Sequence, residues 1–97
     1  MRVRLNSTLR GRSGRHELQV DAPEGVKVRE LLPLLMARGP ELRPLLLDAS
    51  GQLQPGIVAF LNGRQIMLLQ GLDTVVASGD TLDFFPKTGV QRAFAES

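Results

Sequence analysis

Residues 60–86, FLNGRQIMLLQGLDTVVASGDTLDFFP, carry the signals that decide the fold. The pair Asn62–Gly63 is a strong signal for a tight turn between two antiparallel strands. The apolar run IVAFL (57–61) before it and RQIMLLQ (64–70) after it are therefore predicted to form a hairpin. A second turn at Ser78–Gly79–Asp80 precedes TLDFFP (81–86), which is predicted to be the last strand.

The side chains of the last strand are predicted to lie on two faces, because successive side chains of a strand point in opposite directions. Leu82 and Phe84 are predicted to face the core. Phe85 is predicted to lie on the opposite face with Thr81 and Asp83, and Asp83 is expected to be in water there.

The first twenty residues predict another hairpin. Residues 2–9 alternate between apolar and polar, RGRSGR (10–15) is predicted to be a polar turn, and a second strand follows with Leu18 and Val20 inward. The arginines of this region are expected on the solvent face of an edge hairpin. They are Arg2, Arg4, Arg10, Arg12 and Arg15.

The middle of the chain predicts one main helix. Its apolar residues follow the spacing i, i+3, i+4, i+7 and i+8, which is one helix face. They are Val28, Leu31, Leu32, Leu35 and Met36. Pro33 should loosen the first turns, and RGP at 38–40 should end the helix. Leu42, Leu45 and Leu46 predict one or two further helical turns.

The element order predicts an α+β domain in two layers, with one helix covering one face of a mixed sheet of four to five strands. The first and last strands are predicted to pair side by side and parallel in the middle of the sheet. This is the ubiquitin-like β-grasp arrangement. Residues 1–86 are assigned to this domain, and residues 87–97 to a flexible or partner-contacting C-terminal tail.

The composition excludes several kinds of chemistry. The 97 residues suffice for one domain, and the absence of cysteine excludes disulfides and thiolate chemistry. No stretch has the length of a membrane span, so the cytoplasm is the expected location. The formal charge is only +2, and the N-terminal arginines have no stacking aromatics among them, which argues against nucleic-acid binding.

No catalytic or metal-binding group is predicted. His16 is the only histidine and is expected at the rim of the second strand. Asp80 and Asp83 without further carboxylates are a poor cation site. Met36 and Met67 are most simply core residues. The chain is therefore expected to need no cofactor and not to be an enzyme by itself.

A surface is the remaining candidate for function. Phe85 is predicted to face away from the core, and outward residues of the neighbouring hairpin should lie on the same side. The candidate partner-binding residues are Phe60, Met67, Phe85, Pro86 and Lys87. In the alternative, Phe85 packs against Phe94 of the tail.

The quoted stretch resembles the MoaD/ThiS group, which comprises the molybdopterin synthase small subunit, the thiamine sulfur carrier and their ubiquitin-like relatives. The resemblance lies in Asn62–Gly63, Ser78–Gly79–Asp80 and Phe84–Phe85–Pro86, at matching distances, and spans roughly residues 1–86. It implies a β-grasp fold. It also implies docking on the Phe85 side by a partner such as an adenylating enzyme, a synthase large subunit or a cofactor-dependent enzyme.

In that group the chain ends in Gly-Gly, and a partner converts the terminal carboxylate to a thiocarboxylate that donates sulfur. Here the corresponding positions hold Val90 and Gln91, and only Thr88–Gly89 approaches the pattern. Three hypotheses follow. The chain is a non-catalytic binding or accessory module of a sulfur-transfer or molybdopterin-type pathway; or it is a genuine carrier activated after tail processing at Gly89; or it is a β-grasp regulatory or nucleic-acid-binding module.

Overall fold

The computed structural model of the chain describes residues 1–87. Five strands form one sheet: β1 (Arg2–Leu5), β2 (Glu17–Gln19), β3 (Ile57–Leu61), β4 (Arg64–Gln65) and β5 (Thr81–Pro86). The helices are α1 (Thr8–Ser13), α2 (Val28–Arg38) and α3 (Arg43–Leu46). Short 3₁₀ turns at Pro40–Leu42, Ile66–Leu68 and Gly71–Asp73 connect them.

The sheet has the order β2-β1-β5-β3-β4. β1 and β5 pair in parallel, with Arg4 beside Asp83 and Leu5 beside Phe84. All other strand pairs are antiparallel. The prediction of a β-grasp sheet with the first and last strands parallel at its centre is confirmed.

The core lies between α2 and the inner face of the sheet. The five predicted helix residues, from Val28 to Met36, are all buried, and α2 ends at Arg38 as expected. They pack in one cluster with inward residues of the strands, among them Val3, Leu82 and Phe84. The helix continues through Pro33. The Lys27 backbone N–H donates to the Glu30 carboxylate at 3.0 Å, which fixes the start of α2.

Two of the predicted turns are also confirmed. Asn62 and Gly63 both have positive φ, 51° and 85°, as a two-residue hairpin of this type requires. Asp80 closes the second turn, because one of its carboxylate oxygens accepts the Ala77 N–H at 2.8 Å and the other accepts the Asn62 amide at 3.0 Å.

The first hairpin differs from the prediction. β1 ends at Leu5, and residues 8–13 form α1 instead of a strand end and a turn. Ser7 has a φ of 57°, which turns the chain out of the strand direction. Leu9 then reaches the core from the helix. β1 is not an edge strand, since it lies between β2 and β5.

The return strand after the tight turn is also shorter than predicted. Only Arg64 and Gln65 pair with β3, and the chain then turns into a 3₁₀ helix. This turn buries Ile66 in the core and leaves Met67 and Leu68 exposed. In the part of the chain that is described, no helix is long and apolar enough to cross a membrane.

Candidate docking surface

The outer face of the sheet, opposite α2, has two chemically different halves. Towards β2 and β1 it carries charged side chains. Towards β3, β4 and the end of β5 it carries apolar side chains, because the alternation that buries Ala59 and Phe84 turns their neighbours outward. We call the latter half the apolar patch, formed by Val58, Phe60, Leu68 and Phe85.

Phe60 and Phe85 are the centre of the apolar patch. Their rings meet edge to face, with centroids 5.5 Å apart and an interplanar angle of 77°. Val58 is the register partner of Phe85 across the β3–β5 pair. All three side chains are half-buried. The aromatic pair therefore holds a fixed shape but still offers apolar surface to a partner.

The 3₁₀ turn after β4 extends this surface. Leu68 is 81% exposed and lines a shallow depression with Phe60. Met67 is 72% exposed, so its prediction as a core residue is wrong, whereas Met36 is buried as predicted. Within this 3₁₀ turn Ile66 points into the core, and the next two side chains point away from it.

Two cations border the patch. Arg64 and Lys87 are exposed at opposite ends of the β3–β5–β4 region. Neither has a carboxylate partner within residues 1–87.

Pro86 is half-buried and pairs with Ile57 at the end of the sheet. Of the candidate residues, Phe60, Phe85, Pro86 and Lys87 thus lie together around the end of β5. Thr88, Gly89 and Phe94 lie outside the described residues.

In the charged half of the outer face, acidic and basic side chains form ion pairs with each other. Asp83, expected in water, is only 6% exposed. Its carboxylate accepts two hydrogen bonds from the Arg4 guanidinium, at 2.7 and 3.0 Å, and a third from the Asn6 amide at 3.2 Å. These bonds, and secondarily the opposite charge, raise the pKa of Arg4 above its ordinary value.

Two of the other four N-terminal arginines also form ion pairs. Arg2 contacts Glu17 at 3.4 Å and Arg15 contacts Glu41 at 2.6 Å, each with its side chain about half exposed. His16 is exposed. The five arginines are exposed, as expected for a solvent face. The expected edge position is wrong for Arg2 and Arg4, because β1 lies between β2 and β5. The parallel register of β1 and β5 was the signal that could have placed Arg4 opposite Asp83.

Comparison with known proteins agrees with this architecture. The sequence model of the ThiS family matches residues 3–89. An Archaeoglobus fulgidus protein named "Putative sulfur carrier protein" is 34% identical over 87 residues, which cover 89% of this chain and 92% of that protein. SAMP1 from Haloferax volcanii is 27% identical with a TM-score of 0.78, over 89% of this chain and 92% of that chain. Urm1 from Trypanosoma brucei is 29% identical with a TM-score of 0.71, over 88% of each chain.

Proposed function

The chain belongs to the ThiS family, and on that premise we propose that it acts as a non-catalytic docking module of a sulfur-transfer or molybdopterin-type pathway. Its partner is a protein of the kind that handles carriers of this family, such as an adenylating enzyme or a synthase large subunit. The observation that carries the proposal is the half-exposed pair Phe60–Phe85 beside the point where the chain leaves the sheet.

The apolar patch supports docking for energetic reasons. Partly exposed aromatic side chains held in a fixed shape are typical anchors of protein interfaces, because they bury much surface and lose little conformational entropy. The two bordering cations, Arg64 and Lys87, suit a partner whose contact site is apolar with acidic residues at its edge.

The chemistry of the C-terminal residues supports docking without carriage. Activation of a terminal carboxylate requires a slim chain end that enters a narrow channel, and glycine satisfies this because it has no Cβ. When the chain is aligned without gaps from Phe84–Phe85–Pro86, Val90 and Gln91 fall where the family pattern has its two glycines, and six residues follow them. The branched Val90 is poorly suited to such a channel.

Sulfur carriage after processing is the second candidate. The match to the family extends through Gly89, and the Archaeoglobus relative bears the name of a sulfur carrier. Removal of the eight residues after Gly89 would leave a chain that ends in one glycine. A mature end at Gly89 would then carry the activated carboxylate.

Docking is tested by calorimetry of the full chain with the ThiS-type adenylating enzyme of the same genome, without ATP. We expect Phe85→Ala to weaken binding by about 2 kcal/mol or more, the range of an aromatic anchor. Val75→Ala is the matched control, because Val75 is 54% exposed and does not belong to the apolar patch. Equal binding by the Phe85→Ala variant and the wild type would contradict the docking proposal.

Carriage is tested by pyrophosphate release in the presence of the same enzyme and ATP. The full chain is compared with a form that ends at Gly89 and with a form that carries Val90→Gly and Gln91→Gly and ends there. We expect release only with the engineered Gly-Gly end. Release by the full chain would favour carriage over docking alone, and release by the Gly89 form alone would indicate a processing protease.

A further inference from the structure

The sheet leaves part of β3 without a neighbour. β3 pairs with β5 along Ile57–Leu61 on one side. On the other side, the short β4 pairs only with Phe60 and Leu61. Residues 57–59 therefore have no strand partner on that side within the described chain, where the Ile57 N–H donates instead to the Gln54 carbonyl at 3.0 Å. An unpaired strand edge is a ready template for an extended segment of another protein.

A groove of about 370 Å³ runs beside this edge. Its wall consists mainly of apolar side chains, which are those of Leu53, Pro55, Ile57, Val58, Ala59, Ile66, Met67 and Leu72. The exposed Met67 forms one side of it, and a methionine adapts its flexible side chain to different ligands. The groove thus offers side-chain pockets next to backbone groups, as recognition by strand addition requires.

The groove also has a charge preference. Lys87 is the one charged residue among those that line it, and no carboxylate within residues 1–87 pairs with Lys87. An ammonium group at the rim of an apolar groove attracts a ligand with a negative group at the corresponding position.

We propose that this groove and the free edge of β3 bind an extended peptide segment of another protein, with apolar residues that alternate around a single carboxylate. The segment adds to the sheet beside Ile57–Ala59, and its carboxylate lies near Lys87. The groove includes neither Phe60 nor Phe85. It shares Val58 with the apolar patch and Lys87 with the border of that patch, so the two surfaces are adjacent. The two proposals are distinguished by their readouts, because docking is centred on Phe60 and Phe85 and peptide binding on Ile57–Ala59.

The test is a titration of the full chain, labelled at methyl groups and amides, with the N-acetylated and C-amidated peptide VIDIV. We expect shifts of the Met67 and Ile57 methyl signals and of the Ala59 amide. The uncharged peptide VINIV should bind roughly two- to fivefold more weakly, as should VIDIV to the Lys87→Glu variant, the range of an exposed ion pair. The matched charge reversal Arg12→Glu, on the exposed side of α1, should leave the affinity unchanged.

A VIDIV peptide with N-methyl groups on its central backbone nitrogens separates strand addition from simple apolar contact, because it cannot donate ladder hydrogen bonds. Loss of binding by this peptide is expected. Equal binding by it, or an unchanged affinity of Lys87→Glu, would overturn the proposal. Tighter binding of a peptide with the sequence of residues 88–97 would also overturn it, since the chain's own C-terminal segment would then be the occupant. Signals that shift on dilution without peptide would assign the edge to a second copy instead.

Discussion

The two halves of the outer sheet face cover the same core but differ in chemistry. On β1 and β2, Arg4 and Asp83 join at 2.7 Å, and Arg2 and Glu17 join at 3.4 Å. On β3 and β5, the ring centroids of Phe60 and Phe85 are 5.5 Å apart, and both side chains are half-buried. The charged half pairs its main polar groups with each other, whereas the apolar half leaves apolar surface uncovered by residues 1–87.

This difference separates stability from binding. Changes in the charged half should alter the free energy of unfolding, because its bonds connect strands of the domain. Changes in the apolar half should mainly alter binding, because part of its surface stays in water in the free chain. The four predictions below test this division, from the largest expected effect to the smallest.

The largest contrast is expected between the adjacent residues Phe84 and Phe85. Phe84 is fully buried, so Phe84→Ala should lower the free energy of unfolding by about 3–5 kcal/mol. Phe85→Ala should lower it by about 1 kcal/mol, because the ring is already partly in water. Urea unfolding of both variants measures the difference. Equal losses would mean that Phe85 is a core residue and that the apolar patch does not exist.

Removing the Arg4–Asp83 ion pair from the charged half should have the next largest effect on the free energy of unfolding. Arg4→Met keeps an apolar stem of similar length and removes both hydrogen bonds to the Asp83 carboxylate, which is nearly covered. The expected loss of stability is about 1–3 kcal/mol, the range for hydrogen bonds to a charged group. Binding of the adenylating enzyme should not change. An Arg4→Met variant with unchanged stability and weaker binding would contradict this division, because the charged half would then contribute to binding and not to stability.

The coupling between Phe60 and Phe85 should be smaller. A double-mutant cycle with Phe60→Leu and Phe85→Leu should give an interaction energy of about 0.5–1.5 kcal/mol in unfolding, as for other edge-to-face aromatic pairs. A value near zero would mean that the two rings are placed independently and that the patch has no fixed shape.

An exposed ion pair away from the sheet should have the smallest effect. The hydrogen bond from Arg29, at 2.8 Å, and its charge lower the pKa of Asp73 below 3.8. A carboxyl group whose pKa is lower in the folded state stabilises the fold above its unfolded pKa and loses this contribution as the pH falls through the folded value. The difference in Tm between wild type and Asp73→Asn should therefore be present at pH 7 and decrease as the pH falls below the ordinary range of a carboxyl group. A difference that does not decrease on acidification would exclude this ion pair as its cause.

Much of the fold could be predicted because the signals were local. The spacing of the α2 residues, the Asn62–Gly63 pair and the alternation in TLDFFP each lie within a few residues and reflect helix, turn and strand geometry directly. The parallel central pair followed from the order of these elements. The predicted place of Phe85 on the outer face agrees with its half-exposed position beside Phe60.

The errors arose where the deciding contact is distant or the element is short. Residues 2–9 alternate like one strand, and α1, with six residues, is too short to show a helical period. The burial of Asp83 depends on Arg4, 79 residues away in sequence. Met67 is apolar, which predicts a core position, but the chain turns after Gln65 so that Ile66 is buried and Met67 is exposed.

The parallel pairing of β1 with β5 also determines when the domain can fold. The strand at the centre of the sheet, β5, is the last of the strands in residues 1–87 to leave the ribosome, long after β1, α2 and β3. Until β5 is available, β1 and β3 each have an open edge, and open edges favour association with other chains. Pairing across such a sequence separation is slow compared with local contacts. We therefore expect the nascent chain to become cooperative in one late step, since synthesis interrupted before residue 81 leaves β1 and β3 without the strand that lies between them.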